Sequence, residues 1–248
     1  MVAVLSTLAV LLLAGLVGGT VVALSSPAAE APAPAAQTPA PAPSIQDAPV
    51  EPSGTADAAG PTPLSLLADA AWAERTSTAT GIPLRALLAY AGAELRVRAE
   101  APACGLGWNT LAAIGYAESR HGTHDGSAVG ADGTVSPAIF GIALAGGSTA
   151  HIPDSDEGAI DGDAEYDRAV GPMQLIPQTW RNWHADGNGD GVEDPQNIDD
   201  ATLATANYLC RSSGDMTTEE GWRKGIAAYN GAESYIRTVA AAGVGYGG

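Results

Sequence analysis

Lysine is nearly missing from this sequence: Lys224 is the only one, and the other basic residues are arginines. The 11 basic residues stand against 28 acidic ones, for a formal net charge of −17. No cationic stripe is available to neutralise phosphates, which argues against a nucleic-acid partner and against binding to an anionic membrane surface. The acidity favours solubility and leaves carboxylates free for calcium. Alternating apolar and polar runs, the mark of half-buried strands, are also missing, as is any internal repeat, so the expected domain is mainly helical. The histidines, His121, His124, His151 and His184, show no metal-ligand spacing and read as surface or loop residues.

Residues 2–24 are almost wholly apolar and uncharged, long enough to cross a hydrocarbon core of about 30 Å. They read as a signal anchor or the apolar region of a signal peptide, with Ala23-Leu24-Ser25 as a weak cleavage site, although no basic residue precedes Arg75. Either reading exports the rest of the chain, anchored to the membrane if the segment stays uncleaved. Residues 25–63 hold ten of the 17 prolines and lack the apolar side chains of a core, so they read as a semi-rigid Ala/Pro-rich linker. The folded domain is expected over 64–248. Helical periodicity marks 64–78, 83–100, the stretch ending near Gly122, 177–184, 200–210, 219–229 and 232–242, with Thr217 and Glu220 as a capping box. Residues 122–167 are Gly- and acid-rich without periodicity, and a loop of that length is expected to form a functional wall or lid. Cysteine occurs twice, as Cys104 and Cys210, and in an exported domain the pair is expected to be bridged.

Three stretches carry chemistry. Leu111, Ile114 and Glu118 fall on one helical face, so a carboxyl continues an apolar stripe. Gly122 is a plausible helix stop, which puts Glu118 in the last turn, near the negative end of the helix dipole. Both surroundings disfavour the charged form and predict a raised pKa, as a general acid needs near neutral pH. The second stretch, Asp186-Gly187-Asn188-Gly189-Asp190-Gly191-Val192, is the first half of an EF-hand-type loop: oxygen ligands at positions 1, 3 and 5, glycine at 6 and a backbone carbonyl, that of Val192, at 7. Position 12 is Asn197 rather than glutamate, and Asp199 or Asp200 is left to close the cage around a structural calcium ion. The third pairs Gly171-Pro172-Met173-Gln174 with Ala228-Tyr229-Asn230, each taken alone a turn or a helix end.

Taken in order with Glu118-Ser119-Arg120-His121-Gly122, these motifs resemble the lytic transglycosylases of the lysozyme-like superfamily, most closely the membrane-bound lytic transglycosylase B branch in its actinobacterial form, from about Pro83 onward. The resemblance implies a mainly α, lysozyme-like domain with long irregular loops and an EF-hand-like calcium loop that Asp200 closes. It implies peptidoglycan glycan strands as substrate and no organic cofactor, in a chain expected to be monomeric and to work outside the cytoplasm. Glu118 would be the single catalytic carboxyl, acting as acid and then as base to leave 1,6-anhydro ends, with the substrate's acetamido group in place of a second carboxylate. Gln174 and Asn230 would bind the sugar or its acetamido group, Tyr229 would lie near the cleaved bond, and Ser119 and Met173 would shape the site. The alternatives are a hydrolysing muramidase using Asp161, Asp163 or Asp167 as second carboxylate, and a wall-binding module without catalysis.

Overall fold

Helix α2 (Leu84–Glu100) is the centre of the fold, because Ala86, Ala89, Ala91, Ala93, Leu87, Tyr90, Leu95 and Val97 are buried around most of its circumference. The computed structural model describes residues 61–147 and 149–247. The apolar segment and nearly all of the linker expected before the domain lie outside them. No helix among the described residues is long and apolar enough to cross a membrane.

Around α2 stand α1 (Ala70–Thr80), α3 (Trp108–Ser119) and α5 (Ile198–Ser213), with a 3-10 turn at Leu64–Leu66 across it. Helix α7 (Glu233–Gly247) lies along α3, and α5 carries α4 (Pro177–Trp183) and α6 (Glu219–Tyr229). Leu111 and Ile114 of α3, Ile198 and Leu209 of α5 and Ile226 of α6 are fully buried in the shared core. Each side chain of that kind contributes about 1.5–3 kcal/mol by leaving water.

Local chemistry moves several boundaries from those expected. The first expected helix begins later, at Ala70, because Asp69 caps it by accepting from the Trp72 amide at 2.7 Å. Asn197 caps α5 by accepting from the Asp199 amide at 3.0 Å, so that helix starts at Ile198 and continues to Ser213. Thr218 rather than Thr217 caps α6, accepting from the Gly221 amide at 3.1 Å, while Thr217 turns its hydroxyl to Asp215. The N-terminus of α3 follows Gly107, which has no side chain to cap with. Glu94 on α2 supplies the missing acceptor, taking the Trp108 amide at 2.9 Å and pairing with Arg98. Burial of that carboxyl pushes its pKa up to about 7, against the lowering pull of the Trp108 amide and Arg98.

The segment 122–167 is irregular, as its composition predicts. It holds a 3-10 turn, a two-stranded antiparallel ribbon of β1 (Ala128–Val129) and β2 (Val135–Ser136), and isolated bridges such as Pro153 with Tyr166. Helices pack on each other and leave this long wrap to form one wall of the domain.

Cys104 and Cys210 are bridged, tying the loop before α3 to the last turn of α5 across 106 residues. Replacing both by serine should destabilise the protein by up to about 4–5 kcal/mol in the chain-entropy account. Urea titration of parent and double variant measures this, and thiol titration of the unreduced, denatured parent should find no free thiol.

Candidate active site

Helix α3 ends at Ser119, and Arg120, His121 and Gly122 then all take left-handed backbone angles, with φ of 54°, 62° and 79°. This tight reversal leaves Glu118 in the last helical turn, half-buried, at the floor of a cleft of about 690 Å³. The Ser119 hydroxyl secures the reversal, accepting from the Gly122 amide at 2.7 Å and donating to the Pro172 carbonyl at 2.6 Å. Ser119 is buried, so it shapes the site from beneath.

Pro172 belongs to the turn that follows the acidic segment. Gly171 there has φ of 74°, and a Cβ on it would fall 1.8 Å from the Pro195 carbonyl oxygen, so only glycine lets this turn approach the segment before α5. Met173 is buried in the core, and its carbonyl accepts a hydrogen bond from the Tyr229 hydroxyl. Gln174, at φ 49°, lines the cleft and donates from its side chain to the Gly171 carbonyl at 3.0 Å. Tyr229 and Asn230, at the end of α6, line the opposite side. Three segments far apart in sequence, the end of α3, the Gly171–Gln174 turn and the end of α6, therefore meet at the cleft, and Leu144, Thr149 and Ile152 of the long wrap complete the wall.

The closest partner of Glu118 is one the sequence did not single out: Tyr235, in the first turn of α7, donates its hydroxyl to Glu118 Oε1 at 2.6 Å. Tyr235 lies within an expected helix, beside core positions Ile236 and Val239, and nothing in its spacing separates it from an ordinary helical aromatic. The packing of α7 along α3 selects it. Burial pushes the Glu118 pKa up to about 7, and the Tyr235 hydrogen bond, which favours the carboxylate, opposes the rise. The hydroxyls of Tyr229 and Tyr235 are themselves pushed well above the ordinary tyrosine range, by burial first and by Glu118 second, so both remain hydrogen-bond donors.

His121 corrects the expectation of a surface histidine. It is 6% exposed and sits between the Tyr90 and Tyr246 hydroxyls, each at 3.2 Å. Burial, with the adjacent Arg120 charge, lowers its pKa to about 4, so it stays neutral. The hydroxyl of Tyr90 reaches it only because position 115 is glycine, where a Cβ would fall 2.1 Å away.

In the segment 186–200, Asp186 accepts from the amides of Gly189 and Gly191 at 2.7 and 2.9 Å, and Asn188 from that of Asp190 at 2.9 Å. The Val192 amide donates to Asp190 at 2.7 Å. Asp199 and Asp200 divide their tasks. Asp199 is held by the Arg85 guanidinium, whereas Asp200 turns to the loop and accepts from Gly187, Asn188 and Asp194 amides at 2.7, 3.2 and 2.9 Å. The loop also braces the cleft wall, because the Gln196 side chain exchanges hydrogen bonds of 2.9 and 2.8 Å with the Ile139 backbone.

The acidic segment spends its charges locally. Asp161 is buried, accepting from the Asp163 and Arg168 amides, and Asp163 accepts from those of Glu165 and Tyr166. Asp167 is fully buried, accepting from the Ser155 amide and hydroxyl at 2.8 Å each. None of these three lines the cleft, where Glu118 is the only acid among the described residues.

A mainly helical domain with one half-buried carboxyl lining a polar and aromatic cleft is consistent with a lysozyme-like fold. Residues 156–241 match the family described as Transglycosylase SLT domain, while no curated protein and no solved structure matches the chain. The match supports a lytic transglycosylase-like family with peptidoglycan as substrate. The matched span contains Gln174, Tyr229, Asn230 and Tyr235, and Glu118 lies before it, brought to those residues by the fold.

The raised pKa of Glu118 has a stability consequence. The native carboxyl keeps its proton up to about 7 whereas the unfolded one loses it near 4.5, so its stabilising contribution is complete below 4.5 and is lost as pH rises through 7. Glu118→Gln removes this dependence. Thermal melts should show the variant gaining on the parent by several degrees between acidic and mildly alkaline pH; parallel curves would contradict the burial argument.

Proposed function

We propose that the protein cleaves the β-1,4 bond between N-acetylmuramic acid and N-acetylglucosamine in peptidoglycan without water, leaving a 1,6-anhydro end. The observation that carries this reading is that Glu118 is the only acid among the described residues lining the cleft. Hydrolysis by paired carboxylates needs a second one within reach of the sugar, and Asp161, Asp163 and Asp167 are engaged elsewhere. A single carboxyl suffices when the nucleophile belongs to the substrate. Protonated Glu118 gives its proton to the leaving glycosidic oxygen as the C1–O bond breaks. The acetamido group of the muramic acid stabilises the cationic C1. The resulting carboxylate then takes the proton of the C6 hydroxyl as O6 bonds to C1, which returns Glu118 to its acid form.

A pKa near 7 suits both roles, because proton donation and removal are then similarly balanced at neutral pH. Tyr235 orients the carboxyl through its hydrogen bond. Gln174, Tyr229 and Asn230 line the cleft; the two amides would meet sugar hydroxyls and the acetamido group, and the Tyr229 ring would wall the site near the cleaved bond. Product analysis by mass spectrometry tests the reading. Muropeptides one water lighter than hydrolysis products are expected, with turnover falling about 100-fold or more in Glu118→Gln; products that gain water would sink it.

The donor set of 186–200 is all oxygen, with the spacing of a hard-cation loop and a fully buried carboxylate closing it, and it fits calcium. Asp186, Asn188, Asp190, the Val192 carbonyl and Asp200 would hold the ion. Its charge would offset the burial that pushes Asp200 up to about 7, and its role would be to stiffen the Gln196 brace behind the cleft. The melting temperature should rise with calcium and fall in chelator, and equal values would remove the ion from this account. The bridged cysteines and the apolar N-terminal run favour work outside the cytoplasm.

A further inference from the structure

The cleft does not stop at its aromatic edge. Helices α4 and α5 continue past it, and a second concavity of about 440 Å³ opens between their later turns and the end of α2. On α4, Thr179 lines the Glu118 cleft, and Trp183, one turn on, lines the second hollow. On α5, Tyr208 lines the first and Arg211, three residues on, the second. Ring contacts join the two: Tyr229 to Tyr208 at 6.0 Å between centroids, and Tyr208 to Trp183 at 5.9 Å. A path of aromatic side chains thus leads from the catalytic carboxyl into the second hollow.

Of the polar side chains lining that hollow, Glu100 pairs with Arg96 and His184 with Glu193, and the remaining three are not engaged by the protein. The side chains of Asn182 and Arg211 are exposed and that of Asn207 is half-buried, and none of these three side chains has a hydrogen-bond or ion-pair partner among the described residues. An indole face supplies an apolar platform for a pyranose ring, free amides match acetamido and hydroxyl groups, and a guanidinium matches a carboxylate. A strand of N-acetylated sugars carrying peptide carboxylates presents all three chemistries, and it already enters the adjoining cleft.

We infer that the hollow walled by Trp183, Asn182, Asn207 and Arg211 is a second glycan subsite, holding units of the same strand away from the bond cleaved at Glu118. This rests on reading the Glu118 cleft as a glycan-cleaving site. The strand runs from Glu118 over Tyr208 onto Trp183, and the Arg211 guanidinium meets a carboxylate carried by it. Short fragments fill the first cleft alone, so the second subsite distinguishes long strands from short ones.

The test compares the full chain with Trp183→Ala and with the double variant Asn182→Ala/Arg211→Ala, whose residues are exposed and leave the core intact; melting temperatures verify folding. Binding of a short and a long glycan oligomer of alternating N-acetylglucosamine and N-acetylmuramic acid, the latter carrying the carboxylates, is measured by calorimetry on a Glu118→Gln background, and turnover of peptidoglycan strands with Glu118 in place. About a tenfold loss of affinity for the long oligomer is expected, with none for the short one, together with a raised KM and an unchanged kcat on strands. If Trp183→Ala proves unfolded, the double variant decides. Equal affinities in parent and variants for both oligomers would overturn the second subsite while leaving the Glu118 reading in place. A parent that neither binds oligomers nor cleaves strands would overturn both.

Discussion

The hydroxyl of Ser119 joins two parts of the chain that stand 53 residues apart in sequence. It accepts from the Gly122 amide and donates to the Pro172 carbonyl, so one buried atom closes the end of α3 and anchors the Gly171–Gln174 turn beside it. Glu118 precedes that joint by one residue and Gln174 follows it by two, and their separation across the cleft is set there. Three consecutive left-handed residues at 120–122 would be strained in isolation. They persist because this joint, the His121 contacts to Tyr90 and Tyr246, and the fit of Gly122 against Val129 hold them from several sides.

The same packing sets the electrostatics. Laying α7 along α3 takes Glu118 out of water and supplies Tyr235 as its donor, and the first effect outweighs the second. A carboxyl in a fully solvated turn would be ionised at neutral pH and could not donate a proton. The carboxyl of Glu94 has a similarly raised pKa for the same cause, but it caps the N-terminus of α3 and serves the fold alone. Burial raises a pKa without conferring a function; Glu94 lines a hollow of only about 150 Å³ and is held by the Trp108 amide and Arg98, whereas Glu118 faces a cleft of about 690 Å³.

Negative charge is the commonest chemistry in this chain, and most of it is used to shape backbone. Asp154, Asp163 and Asp186 accept from successive amides and hold loops that have little apolar surface to fold around. Hydrogen bonds from those amides keep Asp154 and Asp163 below the ordinary carboxylate range, although burial opposes the shift. The wall of the cleft is thus made rigid by side-chain-to-backbone bonds rather than by a core, and the bridge from Gln196 to Ile139 ties that wall to the loop at 186–192.

Local pattern was enough for much of this. The helices from α2 to α7, the oxygen spacing at 186–192 and an apolar face ending in Glu118 all follow from periodicity and turn chemistry, which act between near neighbours. Shifts such as the start of α1 at Ala70 came from a single capping residue, Asp69, hidden inside an apolar run. The company of Glu118 was not legible in the same way. Tyr235 stands 117 residues away in the chain, and His121 reads as a loop residue until two tyrosines close on it, whereas Asp200, which the family resemblance already named, turns to the 186–192 loop while Arg85 holds Asp199. By itself the sequence determined which segments are helical and which residues are chemically able. Only the tertiary structure decided which of them share one cleft and which carboxyl is kept dry there, because burial and contact between distant segments are properties of packing, not of local order.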